Sequence, residues 1–577
     1  MRVDPPRVRV FAFCHGSTVE ARTGMAQRVE AFRGEVAAIG GAVRAAGHPL
    51  LNLEMDHASR DIERTSLPLL VGVCVGLLLL STRSVRLTIA ALLPVGLGVL
   101  ATEGLLTLVG RSTDIIVNIA KPLLFVVLLA SALHIVVAFQ DARRDGRSPG
   151  EAAEEAAREK GRACLFALCT TALGFASLAF SDMRPVRTFG LLTAAGLTLG
   201  VPLVLAVLPM VLRFIGGPAR VEGGQLLGRV AAALVGHGLN QRWRYPALAA
   251  ALIAGGAVAL WALPVSPGGV HYFGPDMRVR AEHEAIAASG LGLSSVEMVL
   301  TAPSPEVMPE ALDAIDAFAR AAEALPGARK AMGAPLLLRE ATSRVTGTDG
   351  LPPIAERAAA LADPALRGFV SGGSLRLSLL IDHLDAKALD RLHAALRARF
   401  EQTLGRRGFA LELTGHHALL VGAQAALVDT LLWSLLSTAL LIELLVVLAL
   451  RSVRRALAVA LPTLVPVFLN FILMWLLGVP LDLGTSMTGA IAIGIAVDDA
   501  LHFTIAWGRE SPLQTARGTG RALVMTSVVI CAGFLSLLPA PFTPTAHFGL
   551  LCAAAMVSAL AADLLVLPPL LARLAPR

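Results

Sequence analysis

The segment Gly489–Glu510, GAIAIGIAVDDALHFTIAWGRE, places two adjacent carboxylates, Asp498 and Asp499, in the middle of a long apolar run. His502 follows Asp498 by four residues, so a helix puts both side chains on one face. A charged side chain at the centre of a membrane costs roughly 3 kcal/mol or more, and intramembrane acids therefore usually serve a function. The alternative is a core helix of a soluble protein with a buried ion pair. The rest of the chain decides between the two.

The composition is that of a membrane protein. Hydrophobic residues make up 55% of the 577 residues, charged residues make up 16%, and the mean hydropathy is +0.67. A soluble protein carries about 25% charged residues. The net charge of +7 does not indicate a nucleic-acid partner, because membrane proteins gather basic residues in their cytoplasmic loops. Five of the six cysteines lie in apolar runs, at spacings that predict neither a disulfide framework nor a metal site.

Eleven apolar runs predict eleven membrane-spanning helices, each of which needs about 20 residues to cross a bilayer. They lie at about residues 67–82, 87–109, 116–139, 163–180, 188–213, 245–265, 429–450, 456–477, 483–507, 521–540 and 545–573. These spans divide the chain into a partial extracytoplasmic domain (1–66), a first five-helix transmembrane bundle (67–213), a cytoplasmic amphipathic linker (214–243), a transmembrane helix (244–265), an extracytoplasmic α+β domain (266–427) and a second five-helix bundle (428–577).

The polar region at 266–427 alternates strand and helix patterns. Strands are predicted at SVEMVLTA (295–302), LRLSLLID (375–382) and FALELTG (409–415), with helices at Glu306–Leu325, Pro352–Leu366 and Ala386–Leu404. Split βαβ units of this kind predict ferredoxin-like α+β subdomains. In front of the first span, the pattern predicts a strand at 8–13 and an amphipathic helix at Glu20–Ala46.

An internal repeat relates the two bundles. At an offset of 368 residues, Arg83–Arg86 recurs as Arg451–Arg454, Asp114 as Asp482, and Ala132–His134 as Ala500–His502. At an offset of 359, Gly174-Phe175 recurs as Gly533-Phe534, and Phe189–Leu192 as Phe548–Leu551. An ordered series of matches through five spans exceeds chance. Parallel repeats about an axis normal to the membrane are a transporter architecture.

Basic residues predict the topology. They cluster in the loops at 83–86, 143–162, 451–455 and 509–521, which the positive-inside rule places in the cytoplasm. Residues 1–66 and 266–427 are then extracytoplasmic. Nothing in front of the first bundle matches residues 245–370. We therefore expect that an N-terminal segment is missing or separately encoded, and that residues 1–66 form half of an α+β subdomain with an open strand edge.

The chain resembles the resistance-nodulation-division (RND) superfamily of exporters, in the MMPL-like branch that includes hopanoid and other lipid transporters. The resemblance rests on Gly494–His502, on the Gly-Phe-x-Ser-Leu runs at 174–178 and 533–537, and on HYFGPD at 271–276. It covers the whole chain. It departs from the family at Ala130 and Ser131, which stand where Asp498 and Asp499 stand in the second half, so any proton coupling is one-sided.

The resemblance implies a proton-motive-force-driven exporter of a lipidic or hydrophobic substrate, working by alternating access in the bacterial cytoplasmic membrane. The partners that it implies are membrane lipid, the substrate and protons, and a homo-oligomer is possible. It implies neither a cofactor nor an enzymatic activity. No Walker A, HExxH or GxSxG motif is present, so neither ATP nor hydrolysis is indicated. Rival interpretations are a sterol-sensing-like regulator, an accessory protein of protein translocation, or a non-functional fragment of a transporter.

The predicted proton relay is centred on Asp498 and Asp499, because neighbouring carboxylates cannot easily both ionise and can exchange protons instead. The partners predicted for them are His502, His134, Ser131 and Thr526. For the histidines the alternative is an ordinary hydrogen-bonded helix residue. For Thr526 and its neighbour Ser527 the alternative is a bond back to a helix carbonyl. Four other charged residues lie in or near spans and have no assigned role: Glu103, Lys121, Glu443 and Asp563. Of these, Lys121 is expected at the membrane interface.

Overall fold

A computed structural model of the protein describes residues 18–110, 115–181, 183–216, 225–266, 269–289, 294–382, 384 and 386–575. The strand predicted at 8–13 and the repeat position Asp114 lie outside these residues. The described chain divides into two compact units. The sheet unit contains the described residues up to Glu54 and those from 269 to 425, and the membrane unit contains the remainder.

The sheet unit is built on five antiparallel strands. They are β1 (Ser294–Thr301), β2 (Ala328–Gly333), β3 (Val370–Ser371), β4 (Ser374–Ile381) and β5 (Ala410–Thr414). The strand order is β2-β4-β1-β5, with β3 paired to β4. A helix connects β1 to β2 and another connects β4 to β5, so the two βαβ units interleave as the ferredoxin-like prediction requires.

The core of the sheet unit is formed by side chains of the two central strands, β1 and β4, in which buried and less buried positions alternate. Every second residue of β1 and β4 is buried on one face, as period-2 patterning dictates. The helices Val307–Glu323 and Ala386–Gln402 cover this face, and their Phe318 and Phe400 rings meet edge to face with centroids 6.0 Å apart. Three further α-helices of the unit are Arg278–Ala288, Ala334–Thr346 and Ile354–Leu361.

The N-terminal part of the sheet unit differs from the prediction. The helix is Val19–Ala38, shorter than Glu20–Ala46, and none of its residues is buried, so it has no apolar face against a core. Two consecutive glycines end it, and Gly40 has a left-handed φ of +79°. Arg33 binds both carboxylate oxygens of Glu282 at 2.6 and 2.5 Å, which ties this helix to Arg278–Ala288. Among the described residues up to Ser66 the structure has helices and no strand, and the predicted open edge lies outside them.

Eleven helices in the described chain are long and apolar enough to cross a membrane, as the sequence predicts, and apart from His48–Glu54 at the start of the first they lie in the membrane unit. In chain order, spans 1 to 11 are His48–Thr82, Val85–Leu108, Ile115–Arg144, Pro149–Phe180, Arg184–Ile215, Arg244–Ala262, Leu431–Leu450, Val453–Leu477, Leu483–Trp507, Pro512–Leu535 and Thr543–Leu574. A further helix, Gln225–Asn240, precedes span 6. The predicted fold class, a polytopic helical membrane protein with an α+β part, is confirmed.

The sequence repeat is also a repeat of backbone geometry. Arg83 and Arg451 are non-glycine residues with φ of +49°, and each ends a helix in the same left-handed conformation. The next residue in each repeat, Ser84 or Ser452, caps the following span by accepting a hydrogen bond from the backbone N–H three residues later. The turn between the first two helices of each bundle is therefore built identically.

Positions related by the offset of 359 residues also have the same side-chain packing in the two bundles. Phe175 and Phe189 meet edge to face at 5.9 Å, and Phe534 and Phe548 do so at 6.1 Å, 359 residues later. Each pair lies beside a close helix contact that only glycine permits. A Cβ on Gly190 would lie 2.5 Å from the carbonyl oxygen of Phe175, and a Cβ on Gly549 would lie 2.5 Å from that of Phe534.

Span 6 has no equivalent on the first bundle in the described part of the chain. It packs on span 8, where a Cβ on its Gly256 would lie 2.3 Å from the carbonyl oxygen of Phe468. At the positions of span 2 that correspond to the covered face of span 8, the side chains are exposed: Leu93 by 45%, Leu97 by 41% and Leu100 by 67%.

Spans 3 and 9 form the centre of the membrane unit. In its most apolar stretch, every residue of span 3 and 94% of span 9 are buried inside the protein. Span 4 packs against span 9, and span 10 packs against span 3, as a repeat symmetry of the two bundles requires. Lys121 at the start of span 3 lies 2.5 Å from Glu63 and 3.4 Å from Glu103. Its ammonium is thus neutralised away from the Asp pair.

The ionised carboxylate of Glu297 on β1 is stabilised by hydrogen bonds from neighbouring side chains of the sheet unit. Burial opposes its ionisation, but hydrogen bonds from Arg376, Ser378 and Ser295 together outweigh burial and hold the pKa of Glu297 below its usual value. A lowered pKa stabilises the fold above the unfolded-state pKa, and that stabilisation is lost as the pH falls through the folded-state pKa.

Glu297→Gln should therefore speed hydrogen–deuterium exchange in β1 and β4 at pH 7 by roughly tenfold, since a hydrogen bond to a charged group contributes about 1.5 kcal/mol. Mass spectrometry of peptides from both strands measures this. Glu412→Gln, on the exposed side of β5, is the matched control and should change little. Equal exchange in wild type and Glu297→Gln at pH 7 would contradict the assignment.

Candidate functional site

Span 9 carries the two aspartates to the centre of the membrane unit. Asp482 caps the start of this helix with a capping box, in which its carboxylate accepts the Thr485 N–H at 2.8 Å and the Thr485 hydroxyl accepts the Asp482 N–H at 2.7 Å. Asp498 and Asp499 follow four turns later and are 6% and 3% exposed. Because span 9 is enclosed by protein, neither carboxyl faces lipid.

Small residues let span 4 approach span 9 closely. A Cβ on Gly494 would lie 3.4 Å from Cα of Thr171 on span 4. The Thr171 hydroxyl donates a 3.0 Å hydrogen bond to the Gly494 carbonyl oxygen, across the two repeats. Close backbone contacts of this kind are typical of helix pairs in membranes. This contact fixes span 9 one turn before Asp498.

Two histidines from the two repeats meet at the aspartates. His134 of span 3 and His502 of span 9, which are equivalent repeat positions, stack with ring centroids 4.1 Å apart and an interplanar angle of 10°. His502 Nε2 lies 3.4 Å from Asp498 Oδ1, and His134 Nε2 lies 3.7 Å from Asp499 Oδ1. We call these four residues the Asp–His cluster. Both histidines are 3% exposed or less.

The hydroxyl beside Asp499 belongs to Ser527 and not to Thr526. The Thr526 hydroxyl donates to the carbonyl oxygens of Ala522 and Leu523 on its own helix, as the alternative interpretation anticipates. Ser527 donates a long hydrogen bond of 3.4 Å to Asp499 Oδ2. One residue on a helix corresponds to about 100° of rotation, and that rotation decides which hydroxyl faces span 9.

Ser131 lies in the same interface without bonding to a carboxyl. Its hydroxyl is buried and has no hydrogen-bond partner among the described residues. The Ser131 carbonyl oxygen accepts a hydrogen bond from the Cys164 thiol, with the sulfur and oxygen 3.7 Å apart. The same sulfur lies 3.8 Å from His502 Nε2. Ser131 therefore contributes to the surroundings of the Asp–His cluster, while Cys164 of span 4 contacts the cluster directly.

Two charged residues near the cluster were not predicted as part of the site. Asp563 on span 11 is 1% exposed and interacts electrostatically with Asp499 and Asp498. Lys160, at the same end of span 4 as Cys164, interacts electrostatically with His502. Each is a charge inside or beside an apolar run, which is a visible sequence signal, but only helix packing shows which of these charges converge.

A small cavity adjoins Asp498 between the two bundles. Its volume is about 10 Å³, and its lining includes Ala130, Thr171 and Ile530. This is about the space that one water molecule occupies. In the first repeat Ala130 stands at the position equivalent to Asp498, so the missing carboxyl leaves room for a water molecule beside Asp498.

Comparisons with known proteins identify the class of protein. Residues 14–244 match the family model described as the MMPL family. A protein of Methanocaldococcus jannaschii, whose name says only that it is an inferred membrane protein, is 28% identical over 201 residues, which cover 32% of this chain and 50% of the relative. The chain thus spans about half the length of this curated relative.

These matches and the eleven spans define a multi-pass helical membrane protein, an architecture consistent with a transporter. They support the predicted resemblance to the RND/MMPL superfamily. The family match ends at residue 244, before span 9, which holds both Asp498 and Asp499.

The contrast between Ser527 and Thr526 gives a test of the site geometry. Ser527→Ala should shift the infrared C=O stretching band of the Asp499 carboxyl, because it removes a hydrogen bond contributing up to about 1 kcal/mol. Thr526→Ala should leave that band in place. Difference infrared spectra of the purified protein at two pH values measure the shift, with Asp499→Asn identifying the band. A shift in Thr526→Ala and none in Ser527→Ala would contradict the geometry.

Proposed function

We propose that the protein is a proton-motive-force-driven exporter of a lipidic or hydrophobic substrate in the bacterial cytoplasmic membrane. The observation that carries this proposal is the Asp–His cluster: two carboxyls and two imidazoles in contact, buried between two repeated bundles. Groups of this kind in the interior of a membrane protein mark proton or ion pathways. The likeness to MMPL-like lipid exporters supports the substrate class, and transport in place of catalysis.

Protonation would act on the contact between the two bundles. Asp499 of span 9 faces His134 of span 3, so a change of charge on either group alters an attraction between the repeats. Breaking a buried ion pair costs several kcal/mol when one charge is left without a partner. The bundles should therefore pack differently in the protonated and ionised states, and alternating access follows if each packing opens the substrate path to one side.

Protons are loaded onto carboxyls of the second repeat alone in this proposal. The first repeat supplies His134 and the uncharged Ala130 and Ser131, while the second repeat supplies both carboxyls. The cavity beside Asp498 would hold a water molecule that passes the proton to the carboxyl. Asp499 and Ser527 extend the path to span 10. Each transport cycle would then carry protons through span 9 alone.

Asp498→Asn should reduce proton-driven efflux to background while the protein stays folded, because asparagine keeps the shape of aspartate and cannot ionise. Asp499→Asn should weaken or abolish efflux, and Ser131→Ala should have a smaller effect. The measurement is efflux of a fluorescent hydrophobic or lipid probe from proteoliposomes with an imposed pH gradient.

Glu443→Gln is the matched control, since it removes a carboxyl of span 7 that lies outside the Asp–His cluster. It should keep efflux near the wild-type rate. Undiminished efflux by Asp498→Asn would overturn the proposal and favour a sterol-sensing-like regulator or an accessory protein of protein translocation.

Asp563→Asn should also lower transport, although Asp563 is on another helix. It is buried and interacts electrostatically with both cluster carboxylates, and a tenfold change in an equilibrium corresponds to about 1.4 kcal/mol. We expect a roughly tenfold loss at the wild-type pH optimum, with the optimum itself displaced. The pH profile of efflux measures this, and an unchanged profile would exclude Asp563 from the coupling site.

A further inference from the structure

We infer that the site is also a transition-metal site, in which His134, His502, Asp498 and Cys164 bind one Zn²⁺ and hold the two bundles together. Metal binding is a property of the side chains and does not depend on transport. The consequence for transport, an inhibition, rests on the proposed function. The cysteine spacing in the sequence predicts no metal site, because the four ligands come from three separate spans.

Three of the four ligand groups already lie close to one another, and the fourth, the Cys164 thiol, contacts one of them. One nitrogen of His134, one nitrogen of His502 and one oxygen of Asp498 all lie within 4.8 Å of one another. His502 Nε2 is 3.4 Å from Asp498 Oδ1 and 3.8 Å from the sulfur of Cys164. Bond lengths of about 2.0–2.1 Å for Zn–N and 2.3 Å for Zn–S place neighbouring ligand atoms of a tetrahedral site roughly 3.3–3.6 Å apart. Binding of the metal then requires the more widely separated of these atoms to move closer together.

Buried polar atoms that make no hydrogen bond point to a ligand at this site. Both ring nitrogens of His134 and Oδ1 of Asp498 are buried and have no hydrogen-bond partner among the described residues. His134 is 1% exposed and Asp498 6%. A buried polar atom without a partner is rare and destabilising, and an ion is one of the groups that can satisfy it. Bound Zn²⁺ satisfies Asp498 Oδ1 and one nitrogen of His134 in a single step.

The charges of the four ligands balance a divalent cation. Zn²⁺ carries two positive charges, the Asp498 carboxylate carries one negative charge, and the Cys164 thiolate carries another after its proton has left for solvent. Two neutral imidazoles complete a ligand set that, together with the metal, carries no net charge. A neutral site is the form that a buried, low-dielectric position tolerates best.

The donor set selects zinc among the common divalent ions. Imidazole and thiolate ligands suit Zn²⁺ and its analogue Co²⁺, whereas Mg²⁺ and Ca²⁺ prefer sites made of oxygen ligands. The set of two histidines, one cysteine and one aspartate fills the four positions of a closed tetrahedral site. Such a closed site holds its metal without an open position for substrate.

The metal would link three helices of the two repeats. His134 lies on span 3 and Cys164 on span 4 of the first bundle, while Asp498 and His502 lie on span 9 of the second. A Zn²⁺ bound across them fixes one packing of the bundles and occupies the carboxyl that protonation would need. Zinc is therefore an inhibitor of proton-driven efflux in this account.

The test is Co²⁺ binding to the purified full chain in detergent, with Zn²⁺ as competitor. We expect one Co²⁺ per chain, visible absorption bands of tetrahedral Co²⁺, and a near-ultraviolet band from the bond between sulfur and cobalt, all removed by excess Zn²⁺. Cys164→Ser should lose the sulfur band. His134→Ala should weaken binding more than about tenfold, because even outer-shell partners of metal ligands contribute 10–100-fold.

Matched controls keep the result specific. Cys552→Ser replaces another buried cysteine, and His547→Ala removes a histidine that lies 3.4 Å from Asp482 at the start of span 9. Both variants should bind Co²⁺ as the wild type does. Absence of a tetrahedral Co²⁺ spectrum in the wild type would overturn the inference. So would Co²⁺ binding by both His134→Ala and Cys164→Ser that is as tight as binding by the wild type.

A second readout separates this inference from the proposed function. If micromolar Zn²⁺ blocks efflux by the wild type, and Cys164→Ser needs more Zn²⁺ for the same block, both proposals are supported. A tetrahedral Co²⁺ spectrum in a protein that shows no proton-driven efflux would support the metal site and refute the proposed function.

Discussion

The cost of placing charge in a medium of low dielectric constant governs the centre of this protein. Two adjacent carboxyls on one helix can be kept there only if other polar groups surround them and lipid is excluded. Spans 3 and 9 are enclosed accordingly, and the histidines that meet Asp498 and Asp499 come from both of them. The close contact of Gly494 with Thr171 holds span 4 against span 9, so that Cys164 also reaches the cluster.

The repeat explains the position of the site, and the departures from the repeat explain its chemistry. Equivalent residues of two parallel repeats meet at the axis that relates them, which is why His134 stacks on His502. Ala130 and Ser131 break the equivalence by leaving both acids on one side. A symmetric arrangement would bring four carboxyls together, and their mutual repulsion would oppose ionisation of any of them.

Much of the fold follows from patterns that are local in sequence. Runs of apolar residues predict the eleven spans, alternation predicts the sheet, and the offsets of 368 and 359 residues predict two bundles with the same turns and glycine contacts. The N-terminal helix ends at Ala38, earlier than its amphipathic pattern predicts, because the Gly40-Gly41 pair terminates it. Span 1 begins at His48, earlier than predicted, because a polar helix runs without a break into the apolar run.

The site was predicted less completely, for reasons of geometry. The aspartates and histidines are visible because helical periodicity and the repeat both mark them. The choice between Thr526 and Ser527 depends on the rotation of span 10, which hydropathy does not specify. Asp563 and Cys164 join the site only through packing between helices that are distant in sequence. These are tertiary contacts, and one sequence carries no direct signal of them.

The central claim is that substrate movement and proton movement occur together through the Asp–His cluster. Internal pH, followed with a trapped dye in weakly buffered proteoliposomes, tests it most directly when substrate is added without an imposed gradient. The account predicts a proton flux that depends on substrate in the wild type and is absent in Asp498→Asn. Substrate transport by the wild type with no accompanying proton flux would contradict it.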